Sequence, residues 1–341
     1  MSSAQSIADF IKSHDNFLIA SHVFPDGDSV GCVASLIEAL GQLGKNYSAF
    51  IRGQLPRIFE WMPYADRINS ELDNALRMLE WNPDGKSPAL LIVDAGDIHR
   101  MGDGFAKWFE TKKNIEIANI DHHQTNVNFG TINWIDAGYA SVGEMLYEIF
   151  KILNIKITPS IAQNLFVSVY TDTGRFSFGN TTERSFRYAA DFVSLGANPR
   201  EAFSGVYANR TLESFRLQTE SFKTLSKFLD GKACYFWVDQ AMLAHTGTTM
   251  EDTEGFIDAV RLLRDFDMVV FFKEIDRTDV RVSVRAAPPI DASVITGLFG
   301  GGGHPRAAGC RFTVPLPDAI RTFVETAERV IRSGGAAERK S

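Results

Sequence analysis

Carboxylates and imidazoles in the first half of the chain are concentrated in four short segments whose residue types suit a metal centre. The first segment, SHVFPDGDSVG, places His22, Asp26 and Asp28 within seven residues, on a turn made tight by a proline and a glycine. The other segments are VDAGD, DHH and TDTG, which begin at residues 93, 121 and 171. We predict that these four segments together supply the ligands of a divalent metal site.

The donor types favour particular ions and a particular reaction. Carboxylate oxygens and imidazole nitrogens without a thiolate favour Mn²⁺ or Mg²⁺ over a structural zinc ion. If the four segments supply six ligand side chains, these can hold two octahedral ions when one carboxylate bridges both ions and water completes the coordination. This is the arrangement of two-metal phosphoester hydrolysis. Each segment alone also fits a solvated turn or a helix cap. Their joint occurrence in one half of the chain favours the metal site.

A second group of polar residues lies near the C-terminus. The segment RVSVR alternates with the period of a strand, so that Arg281, Ser283 and Arg285 face the same side. The run GGGGHPRAAG is expected to form a turn over residues 300–303 and brings glycines next to His304. Backbone N–H groups of consecutive glycines converge readily on an anion. Guanidinium groups facing an anion would suit a terminal phosphate. A solvated surface strand and a flexible linker are the alternative interpretations, although the patterned continuation over residues 307–314 argues against a linker.

Short apolar runs must position the metal-binding segments. Residues 17–20, 89–93 and 115–120 form such runs and alternate with helical patterns, which predicts an α/β fold with a parallel sheet covered by helices on both faces. Ligands bind outside the carboxyl ends of the strands in sheets of this kind, where the polar segments follow the runs. Residues 164–170 are apolar and buried in either interpretation, and their pattern does not separate a helix from a strand.

The second half of the chain predicts a smaller α+β unit. Strands are expected at residues 233–238, 268–275 and 280–286, and helices at residues 253–264 and 317–332. We therefore predict a catalytic metal-binding domain, a helical connector, a substrate-binding domain and a disordered tail, over residues 1–195, 196–230, 231–332 and 333–341.

Composition narrows the class of protein. A net charge of −7 disfavours a protein that holds long nucleic acids through their phosphates and favours small substrates or short ends. The three cysteines are far apart, which argues against a disulfide framework and suits a reducing cytoplasm. No apolar run is long enough to cross a membrane, and the amino terminus does not have the pattern of a signal peptide. We predict a cytoplasmic protein without a membrane partner.

The segments SHVFPDGDSVG, VDAGD, IDHHQTN, TDTG and GGGGHPRAAG occur here in the order found in the DHH phosphoesterase superfamily with a DHHA1 domain. Over residues 15–330 the chain resembles the oligoribonuclease and pAp-phosphatase branch of that superfamily. The resemblance implies an N-terminal DHH domain with a parallel sheet, a smaller C-terminal DHHA1 domain and an active site in the cleft between them. It also implies two Mn²⁺ ions, with Mg²⁺ or Co²⁺ as alternatives.

The resemblance assigns the metal ligands residue by residue. One ion would be held by His22, Asp26 and Asp94. The other ion would be held by four side chains, with Asp94 bridging: Asp28, Asp94, His122 and Asp172.

The resemblance also assigns catalytic and substrate-binding residues. His123 would lie near the scissile phosphate, and Asp121 would orient a histidine from behind the metals. The residues expected to surround the other end of the substrate are Arg281, Ser283, Arg285, Gly302, Gly303 and His304.

The implied activity is hydrolysis of RNA fragments of two to five nucleotides, together with removal of a phosphate from 3′-phosphoadenosine 5′-phosphate (pAp). Hydrolysis of cyclic di-AMP or its linear product pApA is left open, because one pocket that grips a terminal phosphate and stacks a base could serve both. A long-strand exonuclease and an inorganic pyrophosphatase fit less well. A metal-dependent regulator that binds a nucleotide without cleaving it is the alternative of another class. A homodimer is compatible with each of these interpretations.

Overall fold

The apolar runs of the first half assemble into one parallel sheet. The structure, a computed structural model, describes residues 3–80, 88–112 and 115–335. Six strands follow the order β3-β2-β1-β4-β5-β6, and each neighbouring pair is parallel. The strands are β1 (Asn16–Ala20), β2 (Asn46–Phe50), β3 (Ile68–Asn69), β4 (Ala89–Val93), β5 (Ile117–Asp121) and β6 (Ile132–Ile135).

This sheet belongs to the first of two units, Met1–Asn209, and the second unit is Arg210–Ser341. The helices of the first unit are α1 (Ala4–Ser13), α2 (Gly27–Gln42), α3 (Leu72–Glu80), α4 (Asp103–Glu110), α5 (Val142–Ile152), α6 (Pro159–Asp172), α7 (Glu183–Ser194) and α8 (Pro199–Val206).

Helices cover both faces of the sheet, as the sequence predicts. Alternate residues of β1 enter different cores, because successive strand side chains point to opposite faces. Phe17 and Ile19 pack into a core that also contains residues of α1, α2, α5 and α6. Leu18 and Ala20 pack into a second core with Phe105 of α4 and residues of α3. Both faces of the sheet are therefore buried, which explains why polar and apolar residues do not alternate along β1.

The buried segment over residues 164–170 is helical and lies inside α6. Close packing against α2 depends on a glycine, because a Cβ atom at Gly31 would lie 2.5 Å from the carbonyl oxygen of Asn164 on α6. Helix α6 ends at Asp172, so the packing of α6 against α2 also sets the position of Asp172. The tight α2–α6 pair fixes the spacing between the segment SHVFPDGDSVG and Asp172.

The second unit contains a mixed sheet of six strands in the order β11-β12-β10-β9-β8-β7. The strands are β7 (Ser226–Phe228), β8 (Ala233–Val238), β9 (Met268–Asp276), β10 (Asp279–Ala286), β11 (Gly302–His304) and β12 (Ala307–Phe312). The helices are α9 (Leu212–Lys223), α10 (Gln240–Thr246), α11 (Phe256–Arg261), α12 (Ala292–Gly297) and α13 (Leu316–Arg332). The α+β interpretation of this half of the chain is confirmed.

Two features of the second unit differ from the sequence prediction. The helix expected over residues 253–264 is shorter, because Gly255 adopts a φ of 74° and separates α11 from the preceding turn. The glycine run is only partly a turn, since Gly302 and Gly303 extend as strand β11 and pair with β12. The backbone of these two glycines is therefore paired with β12 along one edge of β11.

The predicted domain boundaries stay predictions, and part of the predicted tail, residues 336–341, lies outside the described residues. Across the part of the chain that the structure describes, no helix is both long and apolar enough to cross a membrane.

Candidate metal centre

Three of the polar segments meet at the carboxyl edge of the first sheet. His22 follows β1, Asp94 follows β4, and Asp121 is the last residue of β5. These strands are neighbours in the order β1-β4-β5 and run parallel, so their carboxyl ends share one edge. The topology therefore brings together side chains that are about a hundred residues apart in the sequence, as the strand pattern predicts.

The carboxylates of the first segment are fixed at the start of α2. Asp26 is the N-cap residue, and its Oδ1 atom accepts hydrogen bonds from the N–H groups of Asp28 and Ser29 at 3.1 and 3.0 Å. The backbone N–H groups at a helix start lack partners within the helix, so a carboxylate at this position is favoured. One oxygen of Asp26 is thereby committed to the cap.

Asp28 is 1% exposed and is held by three donors from other elements. Its carboxylate accepts the N–H groups of Val142 and Gly143 at the start of α5, at 2.8 and 3.2 Å. It also accepts the hydroxyl of Ser168 on α6 at 2.6 Å. A buried carboxylate without such donors would be costly, so α5 and α6 fix the position of Asp28 in the site.

His122 reaches into the centre of the carboxylates. Its Nε2 atom lies 3.2 Å from an oxygen of Asp172. The same atom is 3.8 Å from Asp94 and 3.9 Å from Asp28. Its Nδ1 atom lies 3.3 Å from the carbonyl oxygen of Tyr139, which can only accept. The proton therefore belongs on Nδ1, and this tautomer leaves Nε2 as a metal ligand.

His22 has the same arrangement. Its Nδ1 atom donates to the carbonyl oxygen of Val23 at 2.8 Å, and its Nε2 atom lies 3.2 Å from Asp94 Oδ2. Both histidines are thus oriented by a backbone carbonyl on one ring nitrogen and turn the other nitrogen toward carboxylates.

These side chains form three overlapping groups whose candidate ligand atoms lie within 4.8 Å of one another. Two of the groups contain Asp94, and two contain His122. The groups are Asp94, His122 and His123; His22, Asp26 and Asp94; and Asp28, His122 and Asp172. All six side chains expected to bind metal are therefore brought together in the first unit, where Asp94 joins the first group to the second and His122 joins the first group to the third. His123 is the additional member.

The electrostatics of the cluster suit divalent cations. Burial, followed by the charges of Asp28 and Asp26, raises the pKa of Asp94 well above its ordinary value. The same causes raise the pKa of Asp172. Carboxylates packed this closely repel one another when ionised, and a divalent cation relieves this repulsion. The residues are therefore positioned for metal binding.

The buried cysteine Cys32 lies beside the cluster but does not add a thiolate to its metal-binding groups. The Cys32 thiol donates to Asp28 at 3.2 Å, and burial together with the nearby carboxylates raises the pKa of this thiol well above its ordinary value. Because only a thiolate is an effective metal ligand, Cys32 leaves the donor set as oxygen and imidazole nitrogen.

Asp121 and His123 form a hydrogen-bonded pair next to the cluster. The Asp121 carboxylate is fully buried and lies 2.7 Å from His123 Nδ1. Burial alone would lower the pKa of His123, but the hydrogen bond and charge of Asp121 outweigh it and raise this pKa. Burial likewise opposes the effect of His123 on Asp121, whose pKa is nevertheless lowered. The pair therefore favours a protonated imidazole.

Sequence reasoning missed two residues that support this site. Asn126 donates to Asp121 Oδ2 at 2.6 Å and so fixes the carboxylate that orients His123. The sequence could have indicated Asn126, because this residue ends the segment IDHHQTN. Ser168, the donor to Asp28, lies one helical turn before Asp172 on α6, so a helical interpretation of residues 164–170 would have found it.

The polar residues of the second unit share one region of its sheet. Arg281, Ser283 and Arg285 lie on the face of β10 opposite the buried valines, as the alternation predicts. Strand pairing aligns Ser283 with Gly309 and, on the next strand, Gly302. Two residues further along β10, strand pairing aligns Arg285 with Ala307 on β12 and with His304 on β11.

Lys273 adds a charge that the sequence prediction missed. It pairs directly with Arg281 across β9 and β10. Burial lowers the pKa of Lys273; the negative charge of Glu254 opposes this, and the positive charges of Arg281 and Arg285 lower the pKa further. Arg285 is partly compensated, because its Nε atom lies 3.3 Å from Asp258. The face is therefore electropositive and suited to an anion.

Comparison with protein families finds two domains in the chain. The N-terminal domain of the DHH family matches residues 16–169, and the DHHA1 domain matches residues 230–333. The first match contains every residue of the carboxylate cluster except Asp172. The second contains the electropositive face of β10.

Individual proteins resemble the chain over nearly its whole length. A Thermus thermophilus protein named bifunctional oligoribonuclease and PAP phosphatase NrnA is 28% identical, covering 96% of this chain and 94% of the relative. The Bacillus subtilis protein of the same name is 27% identical, covering 93% and 96%. The crystal structure of an exopolyphosphatase-related protein from Bacteroides fragilis has a TM-score of 0.88 at 19% identity, covering 97% and 96%. At that identity the likeness concerns the fold.

Proposed function

Because this chain belongs to the DHH family and carries a DHHA1 domain after its DHH domain, we propose that it is a two-metal phosphoesterase. Its proposed substrates are RNA fragments of a few nucleotides, which it hydrolyses to mononucleotides, and pAp, from which it removes a phosphate. The observation that carries the proposal is the cluster of carboxylates and histidines that shares Asp94 between two groups. The relatives named as oligoribonuclease and PAP phosphatase support the choice of substrates.

Two Mn²⁺ ions are the proposed cofactor, with Mg²⁺ or Co²⁺ as substitutes. One ion is assigned to His22, Asp26 and Asp94. When bound, the pair of cations polarises phosphoryl oxygens and lowers the pKa of water. The other ion is assigned to Asp28, Asp94, His122 and Asp172.

The chain's own residues position the reaction. Tyr139 and Val23 hold the two ligand histidines in one tautomer through their carbonyl oxygens. Asp121 holds His123 by its Nδ1 atom and favours the imidazolium form. A cation placed there stabilises negative charge on a phosphoryl oxygen as it develops. His123 is therefore the proposed catalytic residue, and Asp121 is the residue that positions it.

The electropositive face of the second unit is the proposed phosphate-binding surface. Arg281, Ser283 and Arg285 supply donors from one face of β10, and the remaining proposed contacts are Gly302, Gly303 and His304 on β11. Bidentate guanidinium contacts suit a terminal phosphate. A localised surface of this kind, in a chain with a net charge of −7, favours short substrates over long strands.

The purified chain with Mn²⁺ should be tested on pAp, a diribonucleotide, pApA, cyclic di-AMP and pyrophosphate. We expect cleavage of pAp and of the diribonucleotide. Preference for cyclic di-AMP or pApA would replace the proposed substrates while retaining the chemistry. A chain that binds nucleotide and cleaves nothing would be the metal-dependent regulator, against which the complete ligand set argues.

Asp94→Ala tests the shared carboxylate. Because Asp94 belongs to two of the three groups, we expect metal stoichiometry to fall and kcat to drop by roughly three orders of magnitude or more, a loss of about 4 kcal/mol in transition-state stabilisation. Metal content after dialysis and steady-state kinetics measure the two effects. Full activity of Asp94→Ala would rule out the two-metal enzyme.

Arg285→Ala tests the phosphate-binding surface. Loss of the guanidinium should raise KM for pAp about tenfold or more, as expected for a charge-assisted hydrogen bond. Arg321→Ala is the matched control, because Arg321 on α13 is exposed and pairs with Asp318. Equal KM values for Arg285→Ala and Arg321→Ala would exclude Arg285 from phosphate binding.

A further inference from the structure

Phe24 is an aromatic residue exposed to solvent in the middle of the first metal-binding segment. Phe24 is 81% exposed, more than any other large hydrophobic residue in the part of the chain that the structure describes. Its backbone has a φ of 59°, in the left-handed region. Phe24 lies two residues from His22 and two residues from Asp26. By chain length, the Cα atom of Phe24 is therefore within roughly 7 Å of the Cα atoms of two residues assigned to a cation.

The conformation of Phe24 is unfavourable by itself. A bulky residue at positive φ is strained and persists only where the surrounding structure imposes that conformation. The following residue is Pro25, which further restricts the backbone before it to extended conformations. An exposed phenylalanine ring also recovers none of the free energy that burial would provide. Packing within the folded chain therefore does not explain the position of this ring.

The surrounding structure imposes the conformation from both sides. On one side the N–H group of Val23 donates to the carbonyl oxygen of Arg100 at 2.7 Å. The carbonyl oxygen of Val23 accepts from His22 at 2.8 Å. On the other side Pro25 is buried and Asp26 caps α2. Phe24 is thus the exposed tip of a short loop whose two ends are held at the metal cluster.

We propose that Phe24 stacks on a nucleobase of the substrate, next to the phosphate that is cleaved. The inference rests on the proposed function and specifies which part of the substrate the first unit recognises. Every base has a π-face, so an aromatic platform accepts each of the bases, as an enzyme of mixed RNA fragments requires. An aromatic side chain has only two rotatable bonds, so it loses little side-chain entropy when it binds.

Two variants separate the ring from the backbone. Phe24→Leu keeps an apolar side chain without an aromatic face, whereas Phe24→Asn tolerates the left-handed conformation and removes the apolar group. Base stacking contributes about 1–3 kcal/mol, so both variants should raise KM for a diribonucleotide by roughly 5- to 150-fold. Phe24→Trp should keep a KM near that of the wild type. Phe215→Leu is the matched control, because Phe215 on α9 is 59% exposed and is not assigned to the site.

The decisive comparison uses a diribonucleotide and an analogue of the same backbone without bases. In the wild type the ratio of kcat/KM between these substrates should be large, and Phe24→Leu should reduce it. Quenching of 2-aminopurine fluorescence in the diribonucleotide on binding gives a second readout, which Phe24→Leu should diminish and Phe24→Trp should retain. An unchanged ratio and unchanged quenching in Phe24→Leu would overturn the stacking proposal. Failure of the wild type to cleave any phosphoester would instead overturn the proposed function.

Discussion

Asp28 shows how closely single residues are fixed in this site. Its oxygens accept from Val142, Gly143 and Ser168, which belong to α5 and α6. A carboxylate that is already hydrogen-bonded keeps its orientation when it binds a cation, and loss of such supporting donors commonly weakens metal affinity by about 10- to 100-fold. Substitution of a supporting donor therefore tests the metal site as directly as substitution of a proposed ligand.

Ser168→Ala is expected to weaken binding of one Mn²⁺ ion by about 10- to 100-fold, because the hydroxyl that donates to Asp28 is lost. Calorimetric titration of the metal-free chain measures the affinity without reference to activity. Ser35→Ala is the control, since the Ser35 hydroxyl is buried on α2 and has no hydrogen-bond partner among the described residues. Equal affinities in Ser168→Ala and the wild type would contradict this role of Ser168.

The Asp121–His123 pair predicts how the stability of the metal-free chain depends on pH. The folded-state pKa of His123 is raised above 6.5, so its contribution is complete below that value and is lost as pH rises through the folded pKa. The pKa of Asp121 is lowered, so its contribution is present above the ordinary value of 3.8 and is lost as pH falls through the folded pKa.

We therefore expect His123→Gln to reduce the free energy of unfolding more near pH 5.5 than near pH 8.5. Chemical denaturation of metal-free protein at the two pH values tests this. A larger loss at the higher pH would show that the imidazolium does not stabilise the fold.

Helix packing sets the spacing between the ligands at the scale of elements. Helix α2 carries Asp28, α6 carries Asp172, and Gly31 brings the helices together. The sequence predicted β1, β4 and β5 because continuous apolar runs identify buried parallel strands, but it did not predict β2, β3 and β6. It could not specify the α2–α6 distance, because a glycine inside a helix also fits an ordinary exposed position.

Gly31→Ala is expected to destabilise the fold by about 1–3 kcal/mol, because the new Cβ would lie 2.5 Å from a backbone oxygen that cannot rotate away. Gly41→Ala in the same helix is the control, since its Cβ would lie 3.9 Å from Tyr47 and alanine favours a helix by up to about 1 kcal/mol. Denaturant midpoints give both values. Equal effects of the two substitutions would show that α2 and α6 can separate without cost.

The second sheet illustrates a different limit of sequence reasoning. The alternation of RVSVR identified the polar face of β10 correctly, because strand side chains alternate strictly. The neighbouring charge of Lys273 came from strand pairing, which no local pattern encodes. Likewise, the glycines of β11 were expected in a turn, and only the pairing with β12 shows that they extend a sheet.

At the scale of the whole molecule, the metal cluster belongs entirely to the first unit. A ligand that binds only the folded state stabilises it by about 2.7 kcal/mol at a hundredfold excess over Kd. The first unit should therefore respond directly to the metal, whereas the second unit contributes the electropositive face.

Saturating Mn²⁺ should slow amide hydrogen exchange in the first unit, most strongly at the start of α2 and the end of α6, and chelation should reverse it. Exchange in the second unit should change less. Mass spectrometry of peptides from the full chain measures both, with Asp94→Asn as the control that lacks the shared carboxylate. Equal slowing in the two units would contradict a metal site confined to the first.

The hydrogen bond between Asp28 and Ser168 joins residues 140 positions apart in the chain. During synthesis on the ribosome, at about 5–20 residues per second, roughly 7–30 s separate the appearance of these two residues. The nascent chain therefore presents isolated carboxylates and histidines long before the complete cluster exists. We therefore expect the proposed metal loading to be a late event in the maturation of this protein, after α6 has docked.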